Sequence, residues 1–525
     1  MDDSATLSIP SPEPADRAYL KEVFAPGGAG RVQEVDDAAR AWLALAASRA
    51  ATGPLVVVTE SSLALELLWQ DLQTLGAGES AAKLPALNVE ASKLASGQPS
   101  PDVSGERLKT LQRCLAWKGR GIVATCVQAL LEPVTAPDRM RQGSERVAVG
   151  QEHDLDALCE RLAAAGYEFE VEVLAKGQAS RRGGLLDVWP LTEDWPARLE
   201  FFGDALESMR RFDPAEQRSR DAIRELSIPP ATDAAPDGAA VAPTEYFPAD
   251  ASFLWLDPDA ILHHYAMSAE LAGLIGAEGS PERDFANWRL GLAKKFAGGG
   301  QLDAGDGDAA RDLGARPCEG LAALSARAVP PDALERERRK WHAELAARAA
   351  DGWEIELFFH TEAGARRFAA AYGTPAGFAT RLGALSGGFE LPGAKWMAVA
   401  EADFYGTRRA LPAHRKTAAG SAARDATGER LTDWTDLRPG ELVVHVDHGI
   451  GKYLGLYEIV FDGQLQEALA VEYAENARLY VPTSQTHLLS RYIGVGRIKP
   501  PLHALGGKRW LKEKIAAERA ASDLA

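Results

Sequence analysis

The spacing of hydrophobic and polar positions changes several times along the chain. Leu55-Val56-Val57-Val58-Thr59 is an unbroken apolar run bounded by Gly53-Pro54, and Gly121-Ile122-Val123-Ala124-Thr125 is a second. Short runs without alternation predict strands buried on both faces, as in a parallel sheet. Residues 61–75 carry Leu63, Leu67, Leu68 and Leu72 at helical spacing, and residues 40–49 and 104–117 read as further helices. Strands alternating with helices predict an α/β region over residues 20–138.

Over residues 139–233 the period shortens to two. After a helix at 154–165, Phe169-Glu170-Val171-Glu172-Val173 alternates, and so, less strictly, does Leu185-Leu186-Asp187-Val188-Trp189. Residues 198–202, the turn Gly203-Asp204 and residues 206–212 read as a hairpin. This is an α+β insert. Residues 234–331 return to α/β, with Phe253-Leu254-Trp255-Leu256 a strand ending at Asp257-Pro258 and the Gly/Asp run 298–307 expected as a mobile loop. Residues 332–411 predict a small α/β spacer, with a charged helix at 333–348 and strands at 354–359 and 396–400. Residues 412–430, rich in Ala, Gly, Ser, Thr and charge, read as a linker. Residues 431–496 are dense in β-branched and aromatic residues, with turns at Pro439-Gly440, His448-Gly449 and Asp462-Gly463, and predict a small barrel. Residues 497–525 are the last region, with a charged helix expected over 508–525.

Composition narrows this picture. A length of 525 residues allows several domains, and 46% hydrophobic residues can fill their cores. A net charge of −17 argues against the whole chain coating nucleic acid, since phosphate binding needs a positive surface. Cys114, Cys126, Cys159 and Cys318 form no CxxC pair, so a disulfide framework or zinc knuckle is not expected. The acidic N-terminus lacks an apolar leader core and no 18-residue apolar stretch occurs. The expected location is cytoplasmic, with no membrane partner.

The candidate chemistry is sparse. Gly27-Gly28-Ala29-Gly30-Arg31 lacks the Lys-Ser/Thr pair of a phosphate loop and reads as a glycine turn, with an ATP-binding helicase remnant as the rival reading. His445, Asp447, His448 and His487 raise the question of a metal. Strand alternation splits residue 448 from 445 and 447 unless the turn re-aims it. Ser180 and Ser386 have no recognisable base, and Glu401 with Asp403 reads as a strand end or helix cap. No catalytic residue, metal ligand or cofactor site is expected. Arg182, Arg198 and Phe202 carry more. Arg198 and Phe202 are four apart on one strand and share a face. Two arginines offer forked donors to carboxylates beside an apolar anchor, unless the arginines pair locally and Phe202 is core. In the last region, Leu456, Tyr457 and Ile459 lie on a strand that is either core or an open edge able to extend a partner's sheet.

Two stretches resemble a known family. The run from Asp436 to Tyr453, including Val443-Val444-His445-Val446-Asp447-His448-Gly449, with Leu479-Tyr480-Val481-Pro482 and residues 487–492, resembles the RNA polymerase-interaction domain of transcription-repair coupling factors, a relative of CarD-type regulators. Arg182-Gly183-Gly184-Leu185-Leu186-Asp187-Val188-Trp189-Pro190, with residues 198–203 and Arg211-Phe212-Asp213-Pro214, resembles the UvrB-homologous insert of the same family, which docks UvrA. The resemblance implies a UvrB-like module with a degenerate P-loop and an α+β insert, followed by a Tudor/SH3-like barrel. It implies that Arg182, Arg198 and Phe202 face UvrA, and that Ile459, with Tyr457 and Leu456, lies on the strand pairing with the polymerase β subunit. One departure concerns the insert: the family's Gly-Glu-aromatic is Gly177-Gln178-Ala179 here. In the family an ATP- and Mg²⁺-dependent motor that translocates double-stranded DNA follows the tail helix. The 525 residues stop before it, so a fragment or truncated product without ATPase activity of its own is expected. The alternative is a CarD-like regulator that binds polymerase without coupling to repair.

Overall fold

The computed structural model describes residues 9–36, 38–87, 101–232, 240–271, 280–305, 310–318, 320–321, 331–405, 428–430, 442–445, 448–461, 464–474, 477–482, 489–492 and 502. The chain divides into two compact units. One comprises Met1–Leu87, Glu106–Arg141 and Asp233–Arg409; the other comprises Asn88–Gly105, Gln142–Thr232 and Ala410–Ala525. The tail helix expected over 508–525 lies outside the described residues.

The first unit is built on a six-stranded parallel sheet. Its order is Ala29–Val32, Gln301–Ala304, Ser252–Leu256, Pro54–Thr59, Gly121–Cys126, Ala81–Leu84. Pro54–Thr59 and Gly121–Cys126 are buried at every position, because the sheet is covered on both faces. The helix Ser62–Thr74 starts where the Ser61 hydroxyl accepts the Ala64 N–H. Its buried stripe is Leu65, Leu68, Asp71 and Leu72. Leu63, expected inside, is exposed.

The Gly/Asp run 298–307 is not the expected loop over its first half. Gln301–Ala304 is an inner strand, between Ala29–Val32 and Ser252–Leu256. The glycines before it serve close packing. A Cβ on Gly300 would sit 1.9 Å from the Val23 carbonyl oxygen, and one on Gly299 2.3 Å from that of Ala251. Residues 306–309 lie outside the described residues.

A second sheet in this unit has five strands, ordered Arg316–Pro317, Phe389–Leu391, Trp396–Ala400, Glu354–Phe359, Phe378–Leu382. Arg316–Pro317, read from sequence with the preceding region, pairs instead with Phe389 and Glu390 of this sheet. Ile355, Leu357, Phe359, Phe368, Met397, Val399 and Phe404 form its core. The two sheets are joined by hydrogen bonds from residues 383–386 to the Ser62–Thr74 helix. Buried Asp71 accepts the Ser386 N–H (2.7 Å) and hydroxyl (2.5 Å), and the Thr74 hydroxyl donates to the Ala384 carbonyl (2.8 Å).

The second unit contains the α+β insert, a six-stranded sheet ordered Ser219–Ile223, Ala205–Phe212, Ala197–Phe202, Leu185–Val188, Gln178–Arg182, Glu168–Phe169. One face packs on the helix Leu155–Ala164 through Leu158, Leu162, Leu186, Val188, Leu199, Leu206 and Met209. Gly183 and Gly203 have φ near +61° at the first positions of the two hairpin turns, where only glycine is relaxed. The alternating run 169–173 is a strand only to Phe169; beyond it Val171 is exposed and Val173 buried. There the backbone turns around Gln178, whose side-chain oxygen accepts the N–H groups of Leu174 and Ala175, both at 2.9 Å. The glutamine at the departure from Gly-Glu-aromatic therefore supplies the acceptor that closes this turn.

The same unit contains an antiparallel sheet of six strands, ordered Gly428–Arg430, Leu489–Tyr492, Leu442–His445, Gly449–Phe461, Gln464–Glu472, Arg478–Pro482. The expected linker therefore ends before residue 428, since Gly428–Arg430 is paired; residues 412–427 lie outside the described residues. Val443, Tyr453, Leu469, Val471, Leu479 and Val481 form the core. The architecture is multidomain α/β, with a parallel six-stranded sheet and β-rich domains.

Candidate functional site

The insert sheet turns one face to its helix and the other away from it. Along Ala197–Phe202 the inward positions Ala197 and Leu199 are buried. The alternate positions are Arg198, Glu200 and Phe202. On the neighbouring strands Asp187 stands opposite both Arg198 and Ser180, which places Arg182 on the same face.

At the centre of that face lies Asp187, 2% exposed. It accepts two hydrogen bonds from Arg198, Nε to Oδ1 at 2.7 Å and Nη2 to Oδ2 at 2.8 Å, a forked pair. Arg182 Nη2 donates to the same Oδ2 at 3.0 Å. Arg198 also donates to the Gln217 side-chain oxygen at 3.0 Å, and its guanidinium lies 4.6 Å from the ring centroid of buried Phe212. The hydrogen bonds it donates to Asp187 raise the Arg198 pKa above its ordinary value. Beside it, Glu200 accepts from the Ser208 hydroxyl and Arg210, which hold its carboxyl below the ordinary range.

The three residues singled out from sequence thus share one face but differ in availability. The Arg198 side chain is 17% exposed and that of Arg182 48%. Phe202 is 77% exposed and is not core. Sequence reasoning gave no role to Asp187 or Gln217. The available signal was an aspartate inside an apolar strand flanked by arginine-bearing strands. Gln217 carries no such signal; its φ of +59° appears only in the fold.

In the last region, Leu456, Tyr457 and Ile459 lie on the long strand Gly449–Phe461, opposite Leu469, Ala468 and Gln466 respectively. A bulge between Tyr453 and Gly455 precedes them. Among the described residues, pairing along this strand's other edge covers Gly449–Lys452. The side chains of these three lie outside the described residues. At the preceding turn Gly449 has φ +77°, and the rings of His445 and His448 come within 4.7 Å. The pairing of His445 with Gly449 thus brings His448 against His445, although strand alternation alone would part them. Asp447 and His487 lie outside the described residues. No group of three possible metal-holding side chains occurs among the described residues.

The remaining candidates are local structure. The glycine run 27–31 follows a helix and enters the strand Ala29–Val32, whereas a phosphate loop follows a strand and opens a helix. Its N–H groups are engaged: Gly27 donates to the Gly299 carbonyl, Gly28 to that of Ala25 and Arg31 to the Tyr19 hydroxyl. Glu401 accepts from the His360 main chain (3.0 Å) and is 2.9 Å from its ring, while Asp403 accepts the Ala400 N–H. Ser180 donates to the Val171 carbonyl. The four cysteines form no disulfide, and burial raises the pKa of Cys114 to about 12 and of Cys126 to about 11. No described helix is long and apolar enough to cross a membrane.

Residues 146–233 match the family described as the UvrB interaction domain, and residues 437–493 match the CarD-like/TRCF RID domain. The chain carries these two domains in this order on a multidomain α/β architecture. It resembles the N-terminal region of transcription-repair-coupling factors. That of Escherichia coli is 26% identical over 488 residues, 81% of this chain and 42% of the relative. That of Mycobacterium bovis is 28% identical over 585 residues, 93% of this chain and 46% of the relative. That of Bacillus subtilis is 23% identical, over 90% of this chain and 46% of the relative. The chain spans less than half the length of these relatives.

Proposed function

We propose that this chain is the docking half of a transcription-repair coupling system, binding RNA polymerase through its last domain and UvrA through its insert. The observation that carries this reading is the presence on one chain of both a UvrB interaction domain and a CarD-like/TRCF RID domain. The parallel-sheet region would be a UvrB-like module with a degenerate phosphate loop, and the last domain a Tudor/SH3-like barrel. On this reading Arg182, Arg198 and Phe202 form the UvrA face, supported by exposed Phe202 and half-exposed Arg182 on the same face of the sheet. The strand bearing Leu456, Tyr457 and Ile459 would extend the sheet of the polymerase β subunit. ATP, Mg²⁺ and double-stranded DNA would be handled by a motor domain, so these 525 residues alone should turn over no ATP.

The test is binding of the purified chain to purified UvrA and, separately, to core RNA polymerase. Phe202→Ala with Arg182→Ala is expected to weaken UvrA binding by about 2 kcal/mol or more while sparing polymerase, as loss of an anchor pair does. Ile459→Arg is expected to abolish polymerase binding and spare UvrA, because a charge on an apolar contact strand is costly to bury. Polymerase binding with no UvrA binding by the unaltered chain would instead favour a CarD-like regulator.

A further inference from the structure

We propose that Asp187 is the positioning residue of the insert's outer face, holding Arg198 as a buttress so that Arg182 presents its free edge to the partner. This rests on the UvrA-docking reading above and divides the labour within it. Asp187 is nearly inaccessible, which leaves it almost no surface for direct contact with a partner. Its two oxygens accept three hydrogen bonds, two from Arg198 and one from Arg182. Arg198 commits Nε and Nη2 to Asp187 and Nη2 also to Gln217, over the ring of Phe212. A guanidinium so engaged has little left to offer a second protein. Arg182 gives one hydrogen bond, Nη2 to Asp187, and remains half-exposed, leaving its other donors for a carboxylate.

Gln217 supports the same arrangement. Its backbone is left-handed, φ +59°, a conformation that costs a non-glycine residue energy. The surrounding turn is fixed by Asp213, whose carboxylate accepts the Ala215 and Glu216 N–H groups, and by the Gln217 N–H on the Asp213 carbonyl. The strained residue is the one whose side chain reaches Arg198. Contact with the partner would therefore run through Arg182 and Phe202, and Arg198 would act through the aspartate it shares with Arg182.

The experiment measures UvrA affinity and thermal unfolding of the full chain for four variants: Arg182→Ala, Asp187→Asn, their combination, and Gln217→Gly. Asn at 187 keeps the shape but turns one acceptor into a donor facing the arginines. It is expected to weaken UvrA binding about ten-fold, in line with loss of charge-assisted hydrogen bonds. Arg182→Ala should cost much less affinity in the Asp187→Asn background than in the unaltered chain, a coupling that mere destabilisation does not produce. Gln217→Gly removes the amide while relaxing the left-handed backbone. The unfolding temperature should hold or rise while affinity falls about three-fold, the size expected for one hydrogen bond. Equal cost of Arg182→Ala in both backgrounds, or full affinity of Gln217→Gly, overturns the proposal. If Asp187→Asn fails to fold, Gln217→Gly decides alone. If the unaltered chain does not bind UvrA, the docking reading itself falls.

Discussion

The parallel sheet around Pro54–Thr59 and the insert sheet around Ala197–Phe202 are both six strands wide, yet they expose different chemistry. The central strands of the first are apolar and buried throughout, and its aromatic residues are packed inward: Trp255 stacks with Phe253 and meets Phe285 and Trp288 edge-on. The second has one apolar face and one polar face, where a buried carboxylate, two arginines and an exposed phenylalanine can share a surface. A sheet covered on both faces offers only its rims for recognition, whereas a half-covered antiparallel sheet offers a whole face. The strongest candidate surface for a protein partner is accordingly on the insert.

This contrast can be broken experimentally, starting with the largest effect. Trp255→Ala should cost the parallel-sheet unit about 3–5 kcal/mol, the usual penalty for emptying a large core site. Hydrogen exchange should show lost protection in Ser252–Leu256 and Pro54–Thr59 with the insert unchanged. Equal loss in Ala197–Phe202 would show that the two cores are not independent. Next, Asp187→Ala should destabilise the insert by about 3 kcal/mol, because it strands a partly buried arginine charge. Exchange in Leu185–Val188 and Ala197–Phe202 would report it, with the parallel sheet unaffected. Phe202→Ser should change insert stability by no more than about 0.5 kcal/mol, as for an exposed position; a larger shift in the urea midpoint would make Phe202 a packing residue.

The smallest effects are in pH dependence, and their signs oppose one another. Glu200 has its pKa lowered by Ser208 and Arg210, so its contribution is present above the ordinary 4.5 and is lost as pH falls through the depressed value. Glu200→Gln should flatten this acid limb for the insert. Glu34 in the first unit has its pKa raised, chiefly by burial and then by Asp257. Its carboxylate therefore opposes folding at neutral pH, and the penalty is relieved as pH falls through the raised value toward 4.5. Glu34→Gln should give a small gain in urea midpoint at pH 7 that disappears near pH 4. A gain persisting at pH 4 would assign the effect to packing.

Much was legible in the linear pattern. Leu55-Val56-Val57-Val58 read as a strand buried on both sides, and the Gly203-Asp204 turn between residues 198–202 and 206–212 as a hairpin, and both are found. Period and turn chemistry are local properties, so the chain states them directly. The shared face of Arg198 and Phe202 followed from the same period. Tertiary structure decided three other matters. Gln301–Ala304 became an inner strand because Gly299 and Gly300 let its backbone approach Ala251 and Val23, contacts made by residues distant in the chain. His448 came to lie against His445 because strand pairing sets His445 opposite Gly449. Arg198 was committed to Asp187 and Gln217, leaving Arg182 and Phe202 outward, because a buried carboxylate must be satisfied by whichever donors the fold brings near. Which of two arginines is buttress and which is contact depends on packing in three dimensions, and spacing along one strand does not record it.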